Sequence, residues 1–453
     1  MALIKSISGI RGTIGGEKGN NLTPVDIVES VAGFGAWILK HHAKASVVVG
    51  RDGRISGPMV SQLAIQTLIG MGIDVIDLGL STTPTVEMYV IKANAQAGII
   101  FTASHNPKEW NALKFLNEKG EFISAADGEN ILEMIRKGEL DFVSVDQLGS
   151  VIQAHDAYDF HIQAILAHRL VDVAAITASQ FHVVVDCINS TGALALPPLL
   201  EALGVKYTLI NDAVTGDFAH NPEPLPAHLV QLSEAVKNSG AHMGISVDPD
   251  VDRLAFVCED GSMFGEEGTL VAIADYILSK EKGNTVSNLS STRALADVTR
   301  KHGGEYFAAA VGEVNVVTMM KSHNAIIGGE GNGGVIVPDL HYGRDAMIGI
   351  ALFLSYVSQQ KQNLTALRDA LPQYTIIKDK LDVAGLDLDA IFDRLKKSFA
   401  SEKLNDIDGL KIDFEEGWVH FRKSNTEPIV RIYAEANTSV AAQALIDNVK
   451  AHI

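Results

Sequence analysis

Thr102-Ala103-Ser104-His105-Asn106-Pro107 follows a short apolar run, Gly98 to Phe101, and the two together decide how the chain is read. The run predicts a buried strand. A lone hydroxyl between Ala103 and His105, stopped by an Asn-Pro turn, then sits at the carboxyl end of that strand, where open α/β sheets collect their ligands. Taken alone, Ser104 is also explained as a turn serine bonding its own backbone. Three loops further along the chain weigh against that reading.

Working outward, strand, loop, helix and strand recur. Val47 to Gly50, a helix from Ser56 to Met71 and Ile73 to Asp77 form one copy. Val183 to Asp186, a helix from Ala193 to Leu203 and Val205 to Ile210 form the second; Thr285 to Leu289, Arg293 to His302 and Tyr306 to Ala310 form the third. Strands alternating with helices imply βαβ units with right-handed crossovers. The fold class expected is α/β: three similar α/β domains with mixed, mainly parallel sheets. After Leu371-Pro372 the texture changes to apolar strands around Leu381, 410–414, 418–421 and 429–434, with helices at 388–399 and 440–449, which predicts a smaller C-terminal α+β domain. The domains expected are 1–150, 151–256, 257–371 and 372–453. A charged, aperiodic stretch from Lys137 to Ser150 marks the first boundary.

Composition removes several function classes. At 453 residues the chain exceeds one core, and no apolar stretch is long enough to span a bilayer. The amino terminus lacks the pattern of a secretory signal, so a cytoplasmic protein is expected. Cys187 and Cys258, the only cysteines, leave no thiolate metal cluster and read as core residues. A formal charge of −18, with no basic stripe, argues against nucleic acid as a partner, so an anionic substrate must meet a local positive pocket. The 15 histidines show no ligand spacing beyond His41-His42, which read as a solvated helix end.

Three loops carry chemistry beside Ser104. Asp248-Pro249-Asp250-Val251-Asp252-Arg253 lies between two strands, and carboxylates at alternate positions converge on a hard cation. An EF-hand is excluded, because Arg253 stands where the sixth-position glycine belongs and strands flank the loop. Gly329-Glu330-Gly331-Asn332-Gly333-Gly334 has dinucleotide-fingerprint glycines but leads into a strand, Val335 to Val337, rather than a helix. Glu330 and Asn332 there offer an acceptor and an amide to hydroxyl groups. Arg422-Lys423-Ser424-Asn425-Thr426-Glu427-Pro428, followed by Arg431, places charged and neutral donors as a phosphate dianion requires. Ser8-Gly9-Ile10-Arg11-Gly12 repeats an arginine held on glycines. A Walker phosphate loop and a Gly-x-Ser-x-Gly elbow are both missing.

Together the four loops resemble the α-D-phosphohexomutase superfamily over nearly the whole chain. Its members carry a phosphoserine in Thr-Ala-Ser-His-Asn-Pro, a magnesium loop Asp-x-Asp-x-Asp-Arg, a sugar loop Gly-Glu-x-Ser/Asn-Gly and a terminal phosphate loop Arg-x-Ser-Gly/Asn-Thr-Glu-Pro. The resemblance implies Ser104 as the phosphoryl carrier, with Ser104, Asp248, Asp250 and Asp252 holding one Mg²⁺ per chain. It places Arg253, Arg11 and Lys114 around the phosphoserine, with His105 and Lys114 as candidates for the acid/base. Glu330, Asn332, Arg422, Ser424, Asn425, Thr426 and Arg431 fall to substrate binding.

The reaction implied moves a phosphoryl group between O6 and O1 of a hexose phosphate through a bound bisphosphate, with a hexose 1,6-bisphosphate as activator. The expected partner is a small sugar phosphate, with no nucleic acid or membrane, and the chain is expected as a monomer or homodimer. Val311-Gly312-Glu313 and the Gly-Glu-x-Asn-Gly-Gly ending depart from the bacterial phosphomannomutase/phosphoglucomutase pattern and favour phosphoglucosamine mutase, with phosphomannomutase/phosphoglucomutase as the alternative. A phosphatase, a kinase and a sugar-phosphate binding protein on the same scaffold are the rivals, and no nucleotide site supports a kinase.

Overall fold

The computed structural model describes residues 3–6, 9–360, 362–382, 387–423 and 429–453. Ser8, Ser424, Asn425 and Thr426 of the expected loops lie outside the described residues. The chain divides into two compact units, Met1–Thr269 with Asn332–Leu367, and Leu270–Gly331 with Arg368–Ile453.

The first unit holds a seven-stranded sheet in the order Ile4–Ser6, Gly9–Thr13, Trp110–Leu116, Ala97–Phe101, Ser46–Arg51, Asp74–Leu80, Val151–Gln153. Its last four strands run parallel; the others add antiparallel on the near side. Ala97–Phe101 is buried at every position, as its unbroken apolar run requires. The chain then turns back without a crossover helix, so Trp110–Leu116 returns antiparallel beside it. The serine loop is this connection. Gly9 has φ +139, and a Cβ there would lie 1.9 Å from the Leu113 carbonyl oxygen. This close approach sets Arg11 opposite Ala112.

Helices Pro24–His41 and Gly57–Gly70 were expected to cover such a sheet only in the second case; both bury apolar residues in a core containing Phe34, Val47, Phe101 and Phe115. Thr23 and Asp26 form a capping box at the start of the first helix. The sheet runs past the boundary expected at 150, because Val151–Gln153 pairs with the Asp74–Leu80 strand.

A second sheet in this unit has the order Leu254–Cys258, Met243–Val247, His182–Asp186, Lys206–Ile210. Its first pair is antiparallel, from Met243 opposite Cys258 to Val247 opposite Leu254. All ten residues of that pair are buried, and the aspartate loop joins them. Helix Ala346–Gln359 packs on helices Ala157–Leu166, Val173–Ser179 and Gly192–Ala202, with Phe353 stacked 3.7 Å from Phe256. Buried all round, it belongs to this unit, whereas Tyr306–Ala309 and Ala325–Glu330 before it in sequence belong to the other.

In the second unit Tyr306–Ala309, Asn284–Asn288 and Ala325–Glu330 lie parallel. A five-stranded antiparallel sheet follows, in the order Thr375–Asp382, Ile429–Ala436, Gly417–Lys423, Leu410–Asp413, Lys403–Asn405. Helices Leu388–Ser398 and Ser439–Lys450 bury Leu395 and Ile446 against its Ile412, Val419 and Ile432. This is the C-terminal α+β texture expected after residue 372.

Candidate active site

Ser104 is buried and has φ 49, a left-handed backbone uncommon outside glycine and asparagine. Such a conformation persists only when its surroundings hold it. Here they do: the Ser104 N–H donates to Thr102 Oγ1 at 2.9 Å, and Thr102 Oγ1 donates to Asp52 Oδ2 at 2.7 Å. Asp52 also accepts from Arg54 Nε at 2.9 Å, and both side chains are fully buried. The Arg54 guanidinium spends its other donors on the carbonyls of the serine loop, those of Ser104, Asn106 (2.7 Å), Pro107 (2.8 Å) and Trp110 (2.9 Å). A buried arginine with its fork filled this way fixes the turn far more firmly than Asn106-Pro107 could. Neither Asp52 nor Arg54 was singled out in the sequence; the clue available was Gly50-Arg51-Asp52-Gly53-Arg54 after an apolar strand.

Ser104 Oγ donates to Asp248 Oδ2 at 2.6 Å. The aspartate loop that receives it is equally constrained. Asp248 Oδ1 accepts from the Asp252 and Arg253 N–H groups, each at 3.1 Å. Val251 has φ 61, a true outlier for a β-branched residue, and turns the loop so that its neighbours Asp250 and Asp252 face inward. Ser190 and Thr191 hydroxyls hold the Pro249 carbonyl, at 2.7 and 2.8 Å. Thr83 holds Asp250 twice, through its Oγ1 to Oδ2 at 2.7 Å and its N–H to the carbonyl at 2.9 Å.

The carboxylates of Asp248, Asp250 and Asp252 are fully buried, and one oxygen from each lies within 4.8 Å of the others. Asp250 Oδ1 and Asp252 Oδ1 are buried without a hydrogen-bond partner. Leaving such oxygens dry is costly, and three hard donors on one loop suit Mg²⁺. The site fits the ion on its donors alone. Burial, then the charges of Asp252 and Asp250, push the Asp248 carboxyl well above the usual range. Burial would raise Asp250 too, but the adjacent Lys114 ammonium outweighs it and holds that carboxyl down.

Lys114 Nζ lies 2.8 Å from Asp250 Oδ2 and 3.5 Å from Asp252 Oδ2. Burial opposes its charge, yet the two aspartates raise its pKa, so it stays an ammonium. Arg344, which sequence reasoning missed, donates to Asp252 Oδ2 at 2.6 Å. His105 is held neutral, its pKa lowered to about 2 by burial and by Arg253, Arg344 and Arg11. Arg11 donates to Asn106 Oδ1 at 3.2 Å, and Arg253 Nε sits 3.9 Å from Asp248 Oδ2. Thus Ser104, His105, Lys114, Arg11, Arg253 and the three aspartates, drawn from four stretches of sequence, are brought together in the first unit. Asn332 also lies in this unit, where its Oδ1 accepts from Gly334 N–H at 3.1 Å.

In the second unit, buried Glu330 accepts through Oε1 from Asn288 Nδ2 at 2.8 Å and Gly312 N–H at 3.1 Å. These bonds fix its carboxylate. Arg422 and Arg431 stand directly opposite each other on neighbouring strands and, with Ser290, His420 and Tyr433, line a small pocket. Asp408 lies 3.0 Å from Arg422 Nε. Like charges placed opposite each other repel, so two arginines here invite an anion. Ser290 and His420, joined at 2.9 Å, had no signal in the sequence beyond being polar.

A buried serine hydrogen-bonded to an acidic, cation-ready loop, both carried on α/β sheets, offers the groups that phosphoryl transfer uses. Family descriptions of phosphoglucomutase/phosphomannomutase match the chain throughout: α/β/α domain I at residues 3–141, domain II at 159–261, domain III at 266–374 and the C-terminal domain at 379–452. A phosphoglucomutase/phosphomannomutase of Thermococcus kodakarensis is 34% identical, over 97% of this chain and 96% of its own. A phosphoglucosamine/phosphogalactosamine mutase of Sulfurisphaera tokodaii is 30% identical over 99% of both. Among solved structures, a phosphoglucomutase/phosphomannomutase family protein of Burkholderia thailandensis superposes with a TM-score of 0.85 at 26% identity, covering 99% of this chain and 96% of its own. The chain belongs to the phosphoglucomutase/phosphomannomutase family of the α-D-phosphohexomutase superfamily, and so to the isomerases.

Proposed function

We propose that this phosphohexomutase converts glucosamine 6-phosphate to glucosamine 1-phosphate, with Ser104 as the covalent phosphoryl carrier. The single observation that carries the covalent step is the 2.6 Å bond from Ser104 Oγ into the aspartate loop. Phosphorylated Ser104 gives its phosphoryl group to the free hydroxyl of the bound sugar phosphate: the serine O–P bond breaks, a sugar O–P bond forms, and the hydroxyl proton leaves. The bisphosphate turns end for end, and Ser104 takes back the other phosphoryl group.

Asp248, Asp250 and Asp252, with the Ser104 oxygen, would hold Mg²⁺, which supplies charge stabilisation to the transferring group. Lys114, held as an ammonium, places a fixed positive charge beside the loop, and Arg11 and Arg253 add theirs. Of the two acid/base candidates, His105 is kept neutral, with its pKa lowered to about 2, and so is a weak acceptor for the departing proton, and Lys114, an ammonium, has no lone pair to accept it. Arg422 and Arg431 would grip the remote phosphate in both orientations, and Glu330, Asn332 the ring hydroxyls.

Glucosamine is favoured by the acid at Glu313, a buried residue opening helix Glu313–Ser322 beside the Gly312 N–H that holds Glu330. The similarity to the Thermococcus protein favours a second reading, glucose or mannose phosphate. Comparing kcat/KM for the three sugar phosphates on one preparation, with a hexose 1,6-bisphosphate present to keep Ser104 phosphorylated, separates them. A preference for glucose or mannose phosphate overturns the glucosamine assignment and leaves the mutase chemistry standing.

A further inference from the structure

A second buried cluster lies in the first unit, apart from the aspartate loop. His161 comes from helix Ala157–Leu166, His341 and Asp345 from the turn before helix Ala346–Gln359, and all three are buried. Both imidazoles aim Nε2 at the same oxygen, Asp345 Oδ2, at 2.9 Å for His161 and 3.3 Å for His341. The ring planes are 84° apart, so the two nitrogens approach from different directions. One donor atom from each residue lies within 4.8 Å of the other two.

Each ring's other nitrogen also has a polar neighbour outside the cluster. His341 Nδ1 faces Glu87 Oε2 at 3.3 Å, and His161 Nδ1 meets Thr85 Oγ1 at 2.9 Å. Both outer partners sit on helix Thr83–Lys92. An imidazole with Nε2 toward a shared point and Nδ1 oriented by a carboxylate or hydroxyl is the arrangement that metal-ligating histidines use. The other Asp345 oxygen is occupied elsewhere, capping the helix through Met347 N–H at 2.7 Å and Ile348 N–H at 3.3 Å. That leaves Oδ2 as the third inward donor.

We propose that His161 Nε2, His341 Nε2 and Asp345 Oδ2 form a buried structural site for one zinc-type divalent cation. Two nitrogens and one carboxylate oxygen suit Zn²⁺, and tetrahedral bonds of about 2.0–2.1 Å separate donors by roughly 3.3 Å. Opening the 2.9 Å His161 contact by a few tenths of an ångström would bring both nitrogen–oxygen distances to that value. Binding displaces the protons that otherwise bridge Nε2 to Asp345, so it releases protons. The ion would tie two distant segments together. It would also fix the residue next to Asp345, since Arg344 reaches Asp252 at 2.6 Å. The inference does not depend on which sugar the enzyme takes.

The test loads the full chain with Zn²⁺ in excess Mg²⁺, which keeps zinc off the oxygen-only aspartate loop, and counts zinc per chain by elemental analysis after gel filtration. About one zinc per wild-type chain is expected, lost in His341→Gln, which keeps an amide between Asp345 and Glu87. Glu87→Gln, which removes no ligand, should weaken zinc binding roughly 10–100-fold. Co²⁺ in the wild type should give the strong visible absorption of a tetrahedral site, a readout that holds even where a variant misfolds. Zinc-free wild type, equal zinc in wild type and His341→Gln, or only the weak bands of octahedral Co²⁺ overturns the proposal.

Discussion

The serine and aspartate loops of the first unit and the arginine strands of the second are both proposed to handle phosphate, but they are built differently. Around Ser104 every positioning group is itself positioned: Arg54 is fully buried and clamps four loop carbonyls, Asp52 orients Arg54, and Thr102 bonds both Asp52 and the Ser104 N–H. Around Arg422 and Arg431 the described residues show fewer supports. Arg431 is exposed, and Arg422 rests on Asp408. The difference matches the two tasks proposed for them. Bond making needs reacting atoms held to within a fraction of an ångström. Gripping a phosphate that arrives in two orientations needs charge and reach.

Breaking the first region should therefore cost turnover, most of all at the atom that reacts. Ser104→Ala should abolish mutase activity and remove any mass increment of one phosphate from the intact protein. Phosphate found on another residue, or turnover preserved in that variant, refutes the covalent role. Asp252→Asn, which keeps the shape and removes the charge, should lower kcat by about 10²–10³-fold, the loss typical of one preorganised electrostatic group. Restored turnover at high Mg²⁺ would show that only ion affinity had been lost. Arg54→Lys should lower kcat by about 10²-fold with KM nearly unchanged, since an ammonium cannot span four carbonyls and the serine shifts. A rise in KM with intact kcat would place Arg54 in substrate binding.

The sequence made the candidate reacting parts legible and hid what holds them. Ser104 and the three aspartates were readable because their chemistry is written contiguously, on loops after apolar runs. The strands flanking the aspartate loop, 243–247 and 254–258, were likewise readable from burial on both faces. Arg54, Thr83 and Arg344 were not, because their partners lie 50 to 167 residues away in the chain. Helix 346–359 is apolar on all sides, and such a pattern does not say which unit it packs in. The His161, His341 and Asp345 cluster escaped a search for histidine spacing for the same reason: it is assembled by packing.

Breaking the second region should cost affinity instead. Arg431→Ala should raise KM for the sugar phosphate roughly tenfold, about 1.4 kcal/mol, and leave kcat within a factor of a few. A large loss in kcat with unchanged KM would erase the contrast between the two regions, because it would make the exposed arginine part of the bond-making machinery.

The remaining expected effect is on stability, and it concerns how the second region is assembled. His420 is buried between Ser290 and the Asp408 carbonyl, at 2.9 and 2.7 Å, and burial, aided by Lys411 and Arg422, lowers its pKa to about 4. In the unfolded chain the same group has a pKa near 6.5. The folded form is then the poorer proton binder. Its contribution to stability is complete above about pH 6.5 and falls as acid is added, because the unfolded chain takes up a proton that the folded one refuses, until the loss levels off near pH 4. The limit is roughly 3 kcal/mol. Urea unfolding of His420→Gln against wild type between pH 4 and 8 should show the variant less sensitive to acid across that window. Parallel curves for the two proteins would mean that His420 titrates in the fold as it does in the unfolded chain, so that in acid it would add a third cation beside the arginine pair.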